Sequence, residues 1–320
     1  MANYITIDGG TSNTRISLVV KNDTVDRLTF HIGAKKGIDD KEILIQTIKQ
    51  GIDTILKNNS MPESKIEKIL ASGMITGEYG LVNLPYITAP VGIEELHNSL
   101  YETIITEISP IPFVFVPGVK NLCESFEHSD IMRGEETEFI GLFRGEGIYI
   151  LPGSHSKIII ADTNQRIIKF ETTLTGEFIS SLCQNTILKD SLSLKNTKLN
   201  DEFLLKGYVV CKENGINASL FKVRILDKLF TQNKTELYSF FMGVVLCNEV
   251  EQILRKNPKR IIVGGQKEIK QAIAVILKKI SSAHVEIIDD WQAEQASSSG
   301  IIKIYEYSND ENVSADLCLF

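Results

Sequence analysis

Tyr4-Ile-Thr-Ile-Asp8-Gly9-Gly10-Thr11-Ser12-Asn13-Thr14-Arg15-Ile-Ser-Leu-Val-Val20 decides how the chain is read. Apolar and polar side chains alternate from Tyr4 to Asp8, turn residues follow, and alternation resumes at Ile16, Leu18 and Val20. That pattern predicts a β-hairpin with an acid closing its first strand and glycines at its tip. Glycines let a backbone come close to a ligand, so this tip can present N–H groups and hydroxyls to phosphate. Asp8 stands where a carboxylate could hold hydrated Mg²⁺, an ion that takes one or two carboxylates and keeps several waters. The competing reading is an ordinary hairpin with a polar turn.

A second stretch has the same plan of strand, small polar turn and strand: Tyr149-Ile-Leu-Pro152-Gly153-Ser154-His155-Ser156-Lys157-Ile-Ile-Ile-Ala-Asp162. Laying Gly153 on Gly9 puts Pro152 on Asp8, Ser156 on Ser12 and Lys157 on Asn13. Two such hairpins in the two halves of one chain predict a duplicated unit with a ligand clasped between the copies. The layout resembles the sugar-kinase and actin-like ATPase superfamily, in which two hairpins grip the nucleotide phosphates from opposite sides.

The 320 residues suit two domains, and 43% hydrophobic residues supply full cores. The expected division is 1–130 and 131–320. A net charge of −7 argues against nucleic acid or an acidic membrane surface as partner. An anionic substrate would need local cations. The first strand begins at once, which leaves no room for a signal peptide, and no apolar run reaches transmembrane length. Cys123, Cys183, Cys211, Cys247 and Cys318 are odd in number and scattered, as expected for reduced thiols in a cytoplasmic protein.

Between and beyond the hairpins, periodicity predicts a third strand over 24–30 and a helix over 41–58, with Ile43, Leu44, Thr47, Ile48, Ile52, Ile55 and Leu56 at helical spacing. A buried strand over 66–72 leads into an irregular glycine- and proline-rich segment, 73–92. This is either a substrate loop at a strand's end or a scaffold loop with no ligand. A strand over 113–116 precedes Met132-Arg133-Gly134-Glu135-Glu136-Thr137, where a helix is expected to start near Gly134. Acids in a first turn gain about 0.3–1 kcal/mol from the helix dipole, and a carboxylate there could equally serve as a base. Strands are expected over 148–151, 156–162 and 165–171, and an all-helical insertion over about 201–257. A strand then ends at Gly264-Gly265, which could pass adenine or ribose close to its backbone or simply make a tight turn. A helix over 267–279, a strand over 285–288 and a helix over 291–305 follow. In that last helix Ala296-Ser-Ser-Ser-Gly300 allows close packing against a neighbour, and the tail after Ser308 reads as loose.

No P-loop and no dinucleotide fingerprint is present, and the five histidines lack metal-ligand spacing. Mg²⁺ brought by nucleotide is the one metal proposed. His155 could contact phosphate or substrate, or fill the turn.

The order of pieces resembles the 2-dehydro-3-deoxygalactonokinase family. The matching stretches are Asp8-Gly-Gly-Thr-Ser-Asn13-x-Arg15, Gly73-Met-Ile75, Pro85-Tyr86, Met132-Arg-Gly-Glu-Glu-Thr137, Leu151-Pro-Gly-Ser-His-Ser-Lys157, Thr175-Gly-Glu177 and Phe221-x-Val-Arg224. The resemblance implies an α/β fold of two ribonuclease H-like (actin-like ATPase) domains with a cleft between them. It also implies ATP- and Mg²⁺-dependent phosphorylation of the C6 hydroxyl of 2-dehydro-3-deoxygalactonate in galactonate breakdown. One departure stands out. Where the family continues Gly-Ser-Arg-Gln-Gly-Trp, this chain has Thr76-Gly-Glu-Tyr-Gly-Leu81. An arginine suited to a sugar acid becomes Glu78, which would repel a carboxylate it faced.

On this resemblance the phosphates lie against Gly9, Gly10, Thr11, Asn13, Gly153, Ser154 and Ser156, with the nucleoside near Gly264 and Gly265. Asp8 orients Mg²⁺, Lys157 or Arg15 offsets developing charge, and Glu135 is the general base with Glu136 secondary. Arg133 and Arg224 hold the substrate carboxylate, and Met74, Tyr86 and Thr175 line its site. A kinase for another sugar or sugar acid, a phosphohydrolase and a nucleotide-dependent switch remain alternatives. Homo-oligomerisation is left open.

Overall fold

The computed structural model describes residues 2–36, 40–192, 198–265 and 267–308. Cys318 and the tail after Ser308 lie outside the described residues. Contacts part the chain into two compact units. The first holds the described residues up to Arg144, Asn164–Ile168 and those from Gln295 onward; the second holds Gly145–Thr163 and Lys169–Glu294. The chain thus passes between the units at 144/145, 163/164, 168/169 and 294/295.

The first unit is built on a six-stranded sheet in the order β3-β2-β1-β4-β7-β6. Its strands are β1 (Asn3–Gly9), β2 (Thr14–Val20), β3 (Asp23–Phe30), β4 (Lys68–Gly73), β6 (Tyr101–Thr103) and β7 (Phe113–Phe115). β1 and β2 form the expected antiparallel hairpin, pairing Asp8 with Arg15 and Gly9 with Thr14. β4 lies parallel on the other side of β1, pairing Gly9 with Gly73. Successive strand side chains face opposite ways. Ile5 and Ile7 pack with Ile48, Ile52 and Ile55 of α1 (Lys41–Asn58). Burying each such side chain is worth roughly 1.5–3 kcal/mol. Asp40 caps α1 by accepting from the Glu42 amide at 2.9 Å.

The other face of β1 meets α9 (Asp290–Tyr305). Thr6 and Ser298 join hydroxyls at 2.7 Å, and the Tyr4 hydroxyl donates to Glu306 at 3.0 Å. Thr6 is therefore polar yet buried. α9 also packs on α3 (Glu135–Leu142) with no gap: a Cβ on Gly300 would fall on the Thr137 carbonyl, and one on Gly141 on the Ala296 carbonyl. The small-residue run thus does what its composition implies. Alanine for glycine in a helix normally gains about 1 kcal/mol. Here the added methyl must push two backbones apart, at about 1–3 kcal/mol or more. Gly300→Ala is expected to lower the melting temperature, and a neutral or higher value would mean the helices can separate freely.

A small second sheet, β5 (Ile87–Thr88), β8 (Val119–Asn121) and β9 (Asp130–Met132), and the short α2 (Ile93–Asn98) complete this unit.

The second unit repeats the plan in five strands, β12-β11-β10-β13-β14. These are β10 (Gly147–Leu151), β11 (Ser156–Ala161), β12 (Ile167–Thr173), β13 (Arg260–Val263) and β14 (His284–Ile287). β10 and β11 are antiparallel, and β10, β13 and β14 are parallel, matching β1, β2, β4 and β7. The repeat also corrects the superposition of the hairpins. Gly73, at φ 89°, ends β4 with the Gly9 carbonyl 2.5 Å from where its Cβ would be. Gly265, at φ 71°, meets the Pro152 carbonyl in the same way. Pro152 therefore stands where Gly9 does and Leu151 where Asp8 does, one residue from the sequence superposition. The second hairpin carries no counterpart of the Asp8 carboxylate.

The helices of this unit are α4 (Thr175–Asn185), α5 (Asp201–Asn214), α6 (Ile216–Leu229), α7 (Lys234–Arg255) and α8 (Lys267–Ile280). α5 and α7 approach closely, since a Cβ on Gly207 would meet the Phe240 carbonyl and one on Gly243 the Leu204 carbonyl. By length and composition α7 could cross a membrane, contrary to the sequence expectation, but most of its apolar stretch is buried within the protein. It is the central helix of the helical layer.

Candidate active site

In the first unit three distant segments meet through their glycines. Gly73 abuts Gly9, and a Cβ on Gly134 (φ 112°) would lie 3.0 Å from the Gly73 Cα. Only glycine adopts these backbone angles cheaply and leaves this room. The junction brings together the β1–β2 tip, the start of the irregular loop and the start of α3. The tip is closed by the Gly10 amide donating to the Asn13 carbonyl at 2.8 Å. Amides of Ala34 and Lys35 donate to the carbonyls of Gly10 and Thr11, both at 3.0 Å. Asn13 Oδ1 lies 2.9 Å from His31 Nδ1. Asp8, partly exposed, receives Arg15 at 2.7 Å. A single carboxylate at a glycine tip fits an Mg²⁺ that keeps most of its ligands as water and phosphate oxygens. Among the described residues, no group of three or more His, Cys, Asp or Glu side chains could hold a metal by itself.

The acidic pair folds back on the start of its own helix. Glu135, half-buried, accepts from the Arg133 amide at 3.1 Å. Glu136 is fully buried, and both its oxygens accept from the Gly134 amide at 2.8 Å. Burial first, and the Glu135 charge second, push the Glu136 carboxyl up to about 8 against those amide bonds. The folded state thus keeps a proton that the unfolded chain releases, from about pH 4.5 to pH 8. In that window stability falls as pH rises, by at most about 1.4 kcal/mol per unit. Glu136→Gln should remove this slope. Its melting temperature relative to wild type should climb between pH 5 and pH 8, and a constant offset would show that Glu136 is not held neutral.

Arg133 is 8% exposed and spends its guanidinium on the loop that follows Gly73. One terminal nitrogen donates to the Thr76 carbonyl at 2.7 Å and hydroxyl at 2.8 Å, and the other to the Leu84 carbonyl at 2.9 Å. Its plane lies 4.1 Å from the Tyr86 ring, a cation–π contact. Nε is buried without a partner. Arg133 and Tyr86 therefore form one assembly. Met74 is half-buried in the same loop, and Glu78 is exposed.

In the second unit the hairpin tip meets the start of α4. The Glu177 amide donates to the Ser154 carbonyl at 3.1 Å, and a Cβ on Gly176 would strike the Gly153 carbonyl. His155 Nε2 lies 3.5 Å from the Glu177 carboxylate. Behind the tip, Ser156 and Lys157 are buried; Ser156 Oγ has no partner, and Lys157 Nζ donates to the His155 carbonyl at 3.4 Å. The Gly264 amide donates to the Ile150 carbonyl at 2.9 Å, which sets the Gly264-Gly265 turn against the hairpin base. Arg224, on α6, is half-buried with one terminal nitrogen enclosed and unpartnered. Thr175 directs its hydroxyl inward, to Glu249 of α7. Helical spacing could have found Glu249 in the sequence: Leu246, Val250 and Ile253 stand three before, one after and four after it, which puts this acid on the apolar face of the helix.

Two sheets of one strand plan, each with its hairpin beside parallel central strands, define the class: this is the fold of the actin-like ATPases and sugar kinases. A solved structure from Sinorhizobium meliloti named for 2-dehydro-3-deoxygalactonokinase matches with a TM-score of 0.75 at 20% identity, covering 94% of this chain and 97% of that one. The activator of 2-hydroxyisocaproyl-CoA dehydratase from Clostridium difficile, solved with bound ADPNP, matches with a TM-score of 0.52 at 10% identity over 94% of each chain. The sequence model of the 2-keto-3-deoxy-galactonokinases matches residues 8–304. The chain belongs to that family. The 2-dehydro-3-deoxygalactonokinase of Escherichia coli (strain K12) is 25% identical over 259 residues, 78% of this chain and 80% of its own. The protein is accordingly an ATP-using phosphotransferase with an alcohol group as acceptor.

Proposed function

We propose that the protein transfers the γ-phosphoryl group of ATP to the C6 hydroxyl of 2-dehydro-3-deoxygalactonate. The observation that carries this reading is the junction of Gly9, Gly73 and Gly134, which sets a candidate phosphate tip beside the acidic start of α3. Phosphoryl transfer needs positioning and charge neutralisation more than covalent chemistry. In the first unit Gly9, Gly10, Thr11 and Asn13 are the proposed phosphate donors; in the second, taken by itself, Gly153 and Ser154 are. Ser156 and Lys157, being buried, act from behind their tip. The Gly264-Gly265 turn, packed against Pro152, is the candidate contact for the nucleoside.

Mg²⁺, held through Asp8, would supply charge neutralisation at the phosphates. Glu135 takes the proton from the attacking hydroxyl. Arg133 shapes the loop bearing Met74 and Tyr86, and Arg224, half-buried on α6, is the candidate cation for a substrate carboxylate.

ADP release, measured over a panel of keto-deoxy sugar acids and neutral hexoses, tests the reading. The sugar acid should be preferred by kcat/KM. Preference for a neutral hexose, which the acidic Glu78 would favour, would overturn the acid assignment. ATP hydrolysis indifferent to any sugar would overturn the kinase.

A further inference from the structure

We propose that Glu249, on α7 of the helical insertion, is a positioning residue that holds the second hairpin tip in its phosphate-binding shape by way of Thr175. The proposal rests on the reading of that tip under Proposed function. Glu249 is 3% exposed. An apolar side chain would fill such a place without the cost of desolvating a carboxyl. What the carboxyl provides is a directed contact. One of its oxygens accepts from the hydroxyls of both Thr173, at 3.1 Å, and Thr175. Those two hydroxyls lie 2.8 Å apart. Thr173 ends β12 and Thr175 opens α4, so Glu249 pins the point where strand turns into helix.

The connection continues to the tip. Two residues past Thr175, the Glu177 amide binds the Ser154 carbonyl, and between them Gly176 lies in backbone contact with Gly153. A shift of the α4 start therefore moves Gly153 and Ser154 with it. The second oxygen of Glu249 is buried with no partner. A buried oxygen without a donor disfavours ionisation, and burial pushes the Glu249 carboxyl up. A neutral amide of the same shape can then stand in for it. β11 and β12 are joined by a connection too short for a parallel crossover, which places Ser156 at the Thr173 end of the sheet. The unpartnered Ser156 hydroxyl thus belongs to the same end of the fold as the hydrogen-bonded group.

The experiment compares wild type with Glu249→Ala, Glu249→Gln and Thr175→Val in two measurements. Hydrogen exchange at the amides of Gly153, Ser154 and His155 reads the tether directly and needs no substrate. Binding of ATP and steady-state KM values read its consequence. Glu249→Ala should speed exchange at those amides and weaken ATP binding about tenfold, the effect of losing a hydrogen bond to a carboxyl group. The KM for the sugar acid should stay within a few-fold. Glu249→Gln, which keeps an acceptor oxygen, should restore most of the loss, and Thr175→Val should reproduce it. Should Glu249→Ala fail to fold, Thr175→Val carries the same test with a side chain of unchanged shape. Unchanged exchange at the tip in a folded variant would overturn the proposal. So would equal losses for ATP and the sugar acid. Faster exchange with unaltered ATP affinity would leave the tether standing and count against the phosphate role of the tip.

Discussion

Glu135→Gln is expected to lower kcat by about 10²–10⁴-fold while ATP still binds. Glu135 opens α3 immediately after Gly134, whose backbone touches the Gly73 end of β4. Glutamine keeps an oxygen for the Arg133 amide, so the helix start survives and only the proton acceptor is lost. Glu136 gives the control. It is sealed from solvent, held by the Gly134 amide, and pushed up to about 8. Near neutral pH it carries a proton already and has no capacity to take another. Glu136→Gln copies that neutral state in shape and charge, so kcat should change by no more than a few-fold. Reversed losses, measured as ADP release under saturating substrates, would make Glu136 the base. Small losses in both would place the base elsewhere and leave the pair as a helix-start feature.

The parts of this site that were legible in the sequence are those carried by local pattern. Alternation gave the hairpins, and the spacing of Leu44, Ile48, Ile52 and Ile55 gave α1 at its observed limits. Gly73 and Gly265 make the close approaches between strands at positive φ, whereas the sequence alone offered these glycines as part of a loop and as a turn or ligand contact. What depended on long-range contact was hidden. β5, β8 and β9 hold two or three residues each and are too short to show a period. Arg133 read as a cation for a substrate carboxylate, and its protein partners, Thr76 and Leu84, lie about fifty residues earlier in the chain. The return of α3 and α9 to the first sheet, through Ser72, Thr137 and Ser297, joins segments far apart in the chain and leaves no local pattern. The hairpins were set one residue out because a repeated glycine was matched by letter, and the register is fixed by the neighbouring strand.

Asp8→Asn is expected to lower turnover at saturating ATP by on the order of 10²-fold or more, several kcal/mol of transition-state stabilisation, with little change in folding. The two effects separate because the contacts of Asp8 are of unequal weight. Its bond to Arg15 joins two partly exposed side chains, 27% and 46%. Such a pair is worth about 0–1 kcal/mol, which moves the melting temperature of a chain this size by no more than about 4 °C. Asparagine also keeps the strand position opposite Arg15, so the hairpin register is preserved. What it removes is the carboxylate charge at the glycine tip. Arg15→Ala breaks the same ion pair and leaves that charge in place. If the carboxylate serves Mg²⁺, Asp8→Asn should lose the Mg²⁺ dependence of ATP binding and Arg15→Ala should keep it. Equal losses in the two variants would assign the effect to the ion pair and its hold on the hairpin. Full activity in Asp8→Asn would remove Asp8 from the mechanism and leave phosphate binding at this tip to its amides and hydroxyls.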